Sequence, residues 1–442
     1  MTKQSLLLII ALSTQLILKA QQSETFIPLN FNSLTKKVAA SDKEIANPKK
    51  NIQPKVWIKR GELMSQNFWV DLEQISGGMP SFQLKLFYKE PLKESKEEIN
   101  GETFDVMQYE RMHYYFLNGG LVKWKRIKSV VENPLDEAYS SYLKAIELDK
   151  DNKLSETIRE DLIKLNEQYE QLGLNEYYLD NKKDALNAFE KVLEINRLSV
   201  MKGRIDTTMI QYSAAISREL GDHKKSIEYY KEFLKIKKVP HTFSLLKEEY
   251  LILGDTINAV KTMEEAFAVF PDTSDVIIDL IDLKIKTNKI DEGLAVIDKA
   301  ISSNPSDSRF FYYKGRLYSR GIKDNWVDKA LEAYNKSIEL DPQFSYPYFD
   351  AGFIHFLVGQ EYFKKAGEET NSALREALNK EGTASYNKAI PMFSKAVELN
   401  EIDKTKADRI VLRESYDNLK RIYYKLQMMD KYNEVNEKLK NL

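Results

Sequence analysis

The sequence predicts a mainly α protein: an α-solenoid of stacked helix pairs, carrying a small antiparallel β insertion near the N-terminus. Three observations predict it. Between Phe243 and Pro305 two helix–turn–helix units run in one register. Ala259 is matched 34 positions later by Gly293, Met263 by Ile297, Ala266 by Ala300 and Pro271 by Pro305, and a repeat of that period marks a helical solenoid. Gly (17) and Pro (12) are scarce among the 442 residues while Tyr (25) and Phe (20) are plentiful, which suits ring-packed helices better than long irregular loops. Strand-like alternation of apolar and polar residues concentrates between Gln74 and Glu132.

Helix packing explains the matched positions. Antiparallel helices approach closely only where side chains are small, and Ala259 and Ala266, seven apart, share one helix face. Leu246 and Tyr250 face them from the preceding helix. Gly254 supplies a left-handed helix end, and Pro271 cannot donate into a continuing helix. These residues resemble the tetratricopeptide repeat family: Phe243, Leu246, Tyr250, Ala259, Ala266 and Pro271 fit its pattern, while Lys247 replaces the usual small residue and Met263 the usual aromatic. The resemblance implies a right-handed solenoid that binds protein or peptide segments and performs no catalysis.

Composition narrows the function classes. A net charge of −1 lacks the basic excess of a nucleic-acid footprint. With no Cys there are no disulfides, Cys-based zinc sites or thiol nucleophiles, and no lipidated Cys behind the N-terminal apolar run. The four histidines, His113, His223, His241 and His355, are scattered. No GxSxG, Walker-type or GxGxxG pattern appears. Adjacent acids such as Glu248-Glu249 or Asp291-Glu292 point different ways on a helix and read as solvated faces. No catalytic residue, metal or cofactor is predicted.

In chain order, Met1–Ala20 reads as an export signal, with Lys3, an apolar core at Leu6–Leu18 and cleavage near Ala20. Residues 21–52 are a polar lead with a helix near Ser33–Ile45. The first repeat spans 53–150: Trp57 and Gly61 belong to its first helix, and Ala138, Tyr142 and Ala145 to its second, at Pro134–Asp149, with Asn133 as cap and Pro134 in the first turn. The insertion, at about 74–132, interrupts it. Ser81–Glu90 alternates Phe82, Leu84, Leu86 and Tyr88 and predicts a strand. Pro91–Gly101 predicts an exposed loop. Phe104–Tyr109, His113–Leu117 and Leu121–Ile127 predict strands, the last two joined by an Asn118-Gly119 hairpin turn, within a sheet of three or four strands.

The solenoid then runs over 151–442. Its second repeat is Ile158–Asn196, with Gly173 and Phe189; its third is Thr207–Val239, with Ser226 and Phe233 at positions usually occupied by Ala. The sixth is Arg309–Pro342, with a lengthened turn at Gly321–Val327. The seventh predicts an extended helix pair at about 345–400, turning near Glu381-Gly382, and Leu412–Leu442 predicts a polar capping repeat. Arg421–Val435 (RIYYKLQMMDKYNEV) and the extended pair resemble a secreted bacterial subset of the family.

The outward positions of the first helices predict the binding surface. They include Ser244 and Glu248, then Ile278, Asp282 and Ile285. Further along come Arg309, Tyr312, Arg316 and Arg320, then Tyr346, Phe349, Phe353 and Phe356. The Lys and Asn set of family members that clamp chaperone-tail carboxylates is missing. The candidate ligand-binding residues are Arg309, Tyr312, Arg316, Arg320, Phe349 and Phe353, cations beside aromatic surface that suit peptide or glycan. The competing arrangement packs the Phe rings on the extended helices and pairs the Arg residues with nearby Glu. The predicted function is a periplasmic or secreted scaffold for envelope proteins or peptides, with no nucleic acid and no transmembrane helix in the mature chain. The alternative is an accessory subunit of an outer-membrane uptake or secretion complex. A third reading places an enzyme site in the insertion, around His113, where a structural role is the simpler account.

Overall fold

The computed structural model describes residues 31–99, 101–321, 325–402 and 408–442. The predicted export signal and the lead up to residue 30 lie outside them. The chain forms two compact units, one up to Lys237 and one from Lys238.

The first unit opens with α1 (Phe31–Ala46) and α2 (Pro54–Trp69), followed by α3 (Ser81–Tyr88) and the strands β1 (Lys93–Ile99), β2 (Glu102–Gln108), β3 (Met112–Leu117) and β4 (Gly120–Arg126). The helices α4 (Pro134–Leu148), α5 (Ser155–Tyr178), α6 (Lys182–Asn196), α7 (Thr207–Glu219) and α8 (His223–Ile236) complete it. Although the insertion separates α2 from α4, the two pack as one antiparallel pair, as α5 packs with α6 and α7 with α8. Small residues set the approach. A Cβ on Gly61 would lie 2.5 Å from the Tyr142 ring, and one on Gly173 2.5 Å from the Phe189 ring. Buried Arg60 joins three helices, pairing with Asp42 of α1 at 2.8 Å and Glu137 of α4 at 2.6 Å.

The inserted sheet is an antiparallel meander in the order β1-β2-β3-β4. Asn118 (φ 52°) and Gly119 (φ 81°) make the predicted turn between β3 and β4, both left-handed as a tight hairpin with the native twist requires. One face presents Tyr114, flanked in register by Met107 and Trp124. It meets the end of α2, where the Tyr114 and Tyr88 hydroxyls both donate to the Asp71 carbonyl, at 2.7 and 3.1 Å. The buried Asp71 carboxylate pairs with Arg111 and, at 3.4 Å, with Arg126. The other face carries Phe104, Val106 and Tyr115 against Leu179. At β4 the Asn175 side chain of α5 accepts from the Trp124 N–H (2.8 Å) and donates to the Trp124 carbonyl (2.9 Å).

Three expectations in this region need correction. Ser81–Glu90 is not a strand: Ser81–Tyr88 is the helix α3. Leu84 is buried and Tyr88 reaches Asp71, four residues apart on the inward face, while Phe82 and Leu86, also four apart, point outward at 62% and 76% exposure. Pro91–Gly101 is not a loop. Its charged residues form the outer strand β1, paired from Lys93↔Gln108 to Ile99↔Glu102. Asn133 precedes α4 without a side-chain cap; its carbonyl accepts from the Glu137 N–H at 3.2 Å.

Lys123 on β4 is buried. Its Nζ donates to the Tyr178 carbonyl at 3.0 Å and lies 3.6 Å from the centre of the Phe104 ring. Burial pushes its ammonium down to about 8. Below that pH the group is charged in the folded and unfolded chain alike, and its desolvation weighs fully on the fold. From there to the unfolded value of about 10.4, the unfolded chain holds more protons, so this group's contribution to stability rises with pH. The unfolding free energy of the native protein relative to Lys123→Met should therefore increase between about pH 7.5 and about pH 9.5. A difference that stays flat across this range in urea titrations would contradict the assignment.

The second unit consists of α9 (Pro240–Ile252), α10 (Thr256–Val269), α11 (Ser274–Lys286), α12 (Ile290–Ser303), α13 (Ser308–Gly321), α14 (Trp326–Leu340), α15 (Ser345–Glu368), α16 (Ser372–Ile402), α17 (Arg409–Lys425) and α18 (Met429–Lys440), packed as successive pairs. Ala259 and Ala266 are fully buried. Gly254 ends α9 in the left-handed region (φ 74°), and the Asp255 carboxylate accepts from the Asn258 N–H at 3.0 Å to start α10. The lengthened turn of the sixth repeat includes residues 322–324, outside the described set.

The extended pair is α15 and α16, 24 and 31 residues long. Its turn is at Glu369–Asn371, not at Glu381-Gly382. Asn371 Oδ1 accepts from the Leu374 N–H at 3.1 Å and starts α16 early. Gly382 is a helical residue on which the Phe363 ring rests, 3.0 Å from where a Cβ would stand. Small size at that contact, rather than chain reversal, accounts for the glycine. The final helix, α18, buries only Val435.

Candidate functional site

In the second unit the first helices of successive pairs, α9, α11, α13 and α15, stand side by side, and direct bonds tie them together. Lys247 of α9 pairs with Asp279 of α11 at 2.6 Å, and Ser244 donates to the same carboxylate at 2.7 Å. Arg309 of α13 pairs with Asp275 of α11 at 3.0 Å, and with Asp307 at 2.9 Å. Arg316 pairs with Asp282 at 2.9 Å. The two α11–α13 pairs join residues 34 apart, which occupy equivalent places in consecutive repeats. An acidic first helix therefore lies against a basic one.

From α13 to α15 the surface changes character. Asp350 of α15 is enclosed by the Tyr312 and Tyr334 hydroxyls with Arg316 nearby. Burial raises its carboxyl despite the field of Arg316 and the two hydroxyl bonds. Burial also works against the Arg316 charge, yet Tyr312, Asp282 and Tyr313 hold it above the usual range. The Arg316 guanidinium lies 5.2 Å from the Tyr313 ring centre and 5.8 Å from that of Tyr312. Tyr346 donates to Asp408 at 2.5 Å, and its phenol is pushed up to about 12 by burial and that bond.

The candidate residues separate by accessibility. Tyr312 is buried at 7% exposure, within 5.1 to 6.0 Å of the Phe344, Tyr346 and Tyr334 rings. Phe356 is buried too, stacked on Tyr386, so it does not line the surface. Phe349 is half-buried between Phe353 and Phe393. Arg309 and Arg316 are engaged by aspartates, and Arg320 adds positive field at Asp350. What remains open is a row on α15: Tyr346, Phe353 and Leu357, at 36%, 39% and 39% exposure. The acids Asp275, Asp279 and Asp350 are neighbours of the candidate residues that sequence reasoning missed, although the 34-residue spacing from Asp275 to Arg309 and from Asp282 to Arg316 carries the signal for the first of them. His113 sits half-buried on β3, its imidazole lowered by burial. Among the described residues, no group of three or more His, Cys, Asp or Glu is placed to hold a metal ion.

Residues 213–239 match the family model of the tetratricopeptide repeat. No curated protein matches the chain. Among solved structures, MamA from Desulfovibrio magneticus RS-1 is similar at 19% identity, over 45% of this chain and 96% of that one, with a TM-score of 0.33. YrrB, a TPR protein with an unusual peptide-binding site, shows 16% identity over 47% and 95%, with a TM-score of 0.31. A tetratricopeptide repeat protein from Parabacteroides merdae ATCC 43184 shows 18% identity over 56% and 92%, with a TM-score of 0.30. Superpositions at this level carry no functional argument. The matched segment covers α7 and α8, and the same small-residue contacts recur in other pairs, Gly315 on Tyr334 among them. The family match over residues 213–239, the 34-residue spacing and the pair geometry agree on an array of helix pairs similar to tetratricopeptide repeats.

Proposed function

We propose that this chain is a non-catalytic scaffold of the bacterial envelope, exported by its N-terminal segment, that holds protein or peptide segments against the first-helix surface of its second unit. The repeat architecture supports an interaction scaffold. The observation that carries the location is the row Tyr346, Phe353 and Leu357 on α15, left open beside α13, whose arginines are already held in place by α11. An apolar row framed by fixed charges gives a partner an anchor and a register while little side-chain freedom is lost on binding. No helix of the described residues is long and apolar enough to cross a membrane.

Affinity purification of the mature protein from its own envelope fraction tests the reading. Phe353→Ser with Leu357→Ser removes exposed surface without opening the core. Recovery of at least one partner should fall about tenfold or more, as expected when an anchor worth about 2 kcal/mol is lost. Undiminished recovery of every partner would reject this surface. Retention on a glycan array without protein partners would favour the uptake-complex alternative.

A further inference from the structure

The first unit holds a second recess that the repeat pattern does not account for. It lies between the inserted sheet and the α4–α5 region and measures about 500 Å³. Phe68, Tyr115 and Trp124 supply aromatic wall, and Leu135, Leu172 and Leu179 supply aliphatic wall. Four carboxylates line it: Glu97 of β1, Glu132 of the connection after β4, Asp136 of α4 and Glu176 of α5. The bases in the lining are Lys125 and Arg126. Arg126 is committed elsewhere. Its Nη2 donates to the Phe68 carbonyl at 2.5 Å, and its Nη1 lies 3.4 Å from Asp71. Lys125 is exposed at the strand end. The lining is therefore mixed in surface, apolar and polar side by side, and negative in charge.

The acids are hydrogen-bonded but not neutralised: Glu97 accepts from the Tyr115 hydroxyl, with buried Lys123 nearby. Asp136 accepts from the Tyr169 hydroxyl at 2.6 Å and Glu176 from Asn181 Nδ2 at 2.7 Å, but both partners are neutral. Burial raises the Glu176 carboxyl above its usual range, with Asp184 adding to the effect against the Asn181 and Asn175 bonds and a weaker pull from Lys125. A cation seated between Glu97 and Glu176 would offset that desolvation, and its apolar stem would lie against the leucines, since the Tyr115 and Trp124 rings already have Lys123 at 5.7 Å and Arg126 at 5.9 Å.

We infer that this recess is a docking site for a lysine or arginine side chain of a partner polypeptide, flanked by an apolar residue that fills the aliphatic wall. The occupant follows from charge complementarity: a negative lining admits the cation, and the leucines of the lining suit its apolar neighbour. A small polyamine would satisfy the charge but leave the leucine wall uncovered.

The test is selection of random heptapeptides on the full-length mature protein, repeated on the Glu97→Gln/Glu176→Gln variant. The native protein should enrich peptides with Arg or Lys beside an aliphatic or aromatic residue. The leading peptide should quench tryptophan fluorescence in the native protein but not in Trp124→Phe. Its affinity should fall about tenfold in the double variant, as for loss of charge-assisted hydrogen bonds. Glu132→Gln, in an exposed connection, provides a second variant that leaves packing alone and should weaken binding about twofold, as for a solvent-screened charge. Far-UV circular dichroism checks the fold of each variant. Selections without basic enrichment, or equal peptide affinity in native protein and double variant, would overturn the inference. So would spermine binding that responds to the variants when no peptide does.

Discussion

Replacing Asp71 by alanine should destabilise the first unit by about 3–5 kcal/mol, the range for removing one partner from a buried ion pair. Asp71 lies in the turn two residues beyond α2 and is 3% exposed. Its carboxylate faces Arg111 and Arg126, whose guanidiniums are held down by burial. With the carboxylate gone, two desolvated cations would confront each other at the junction of sheet and helix. Asp71→Asn should recover part of the loss, because it retains an acceptor for one guanidinium but no charge. The Tyr88 and Tyr114 bonds go to the Asp71 backbone and survive either change. Urea unfolding followed by tryptophan fluorescence reads the effect through Trp69 and Trp124 at this junction. A loss below about 1 kcal/mol would show that the pairs are solvated and contribute only as surface bridges do.

Phe393→Ala should destabilise the second unit by a comparable amount, about 3–5 kcal/mol. The ring is fully buried in the cluster joining α15, α16 and α17, with Phe349 5.8 Å away and the Gly352 backbone beneath it. Phe393→Leu, which keeps most of the volume, should cost less than about 1.5 kcal/mol. Hydrogen exchange should accelerate over α15–α18, while the protection of α1–α8 stays unchanged. Partner recovery should also decline, since Phe349 leans on Phe393 and Phe353 stacks on Phe349 at 6.2 Å. Protection of α15–α18 identical to the native protein would show that the cavity collapses.

The helix pairs were legible because each uses the same physical device at a fixed spacing. A glycine or alanine must oppose a large ring, and Gly61, Gly173 and Gly315 do so against Tyr142, Phe189 and Tyr334. The insertion was only partly legible. β2, β3 and β4 alternate and turn as their residues dictate. The segment Ser81–Tyr88 imitates that alternation because its outward helical positions, Phe82 and Leu86, are apolar as well. β1 lacks any apolar alternation, and only its pairing with β2 makes it a strand. The turn of the extended pair was misplaced because a helical glycine looks like a helix end when the Phe363 ring that needs the space lies 19 residues earlier.

The candidate surface was legible as positions but not as chemistry. Arg309 and Arg316 stand where expected, but each is held by an aspartate of the preceding repeat, Arg309 by the nearby Asp307 as well. Tyr312 and Phe356 show that periodicity identifies a helix face without saying how far a neighbouring helix covers it.

The pairing of Asn175 with both backbone groups of Trp124 has a consequence for assembly. A sheet set among helices would ordinarily offer two unpaired rims to other copies of the chain. At β4 a side-chain amide occupies the N–H and C=O that an incoming strand would need first. At the opposite rim β1 reads KESKEEI, so a strand arriving there meets alternating charge in place of apolar surface. Growth by edge-to-edge strand addition, the usual route from an exposed sheet to aggregate, is blocked on one rim by a hydrogen-bonded plug and on the other by charge. The repeat array can thus carry a β insertion without offering other copies a free sheet edge while it folds.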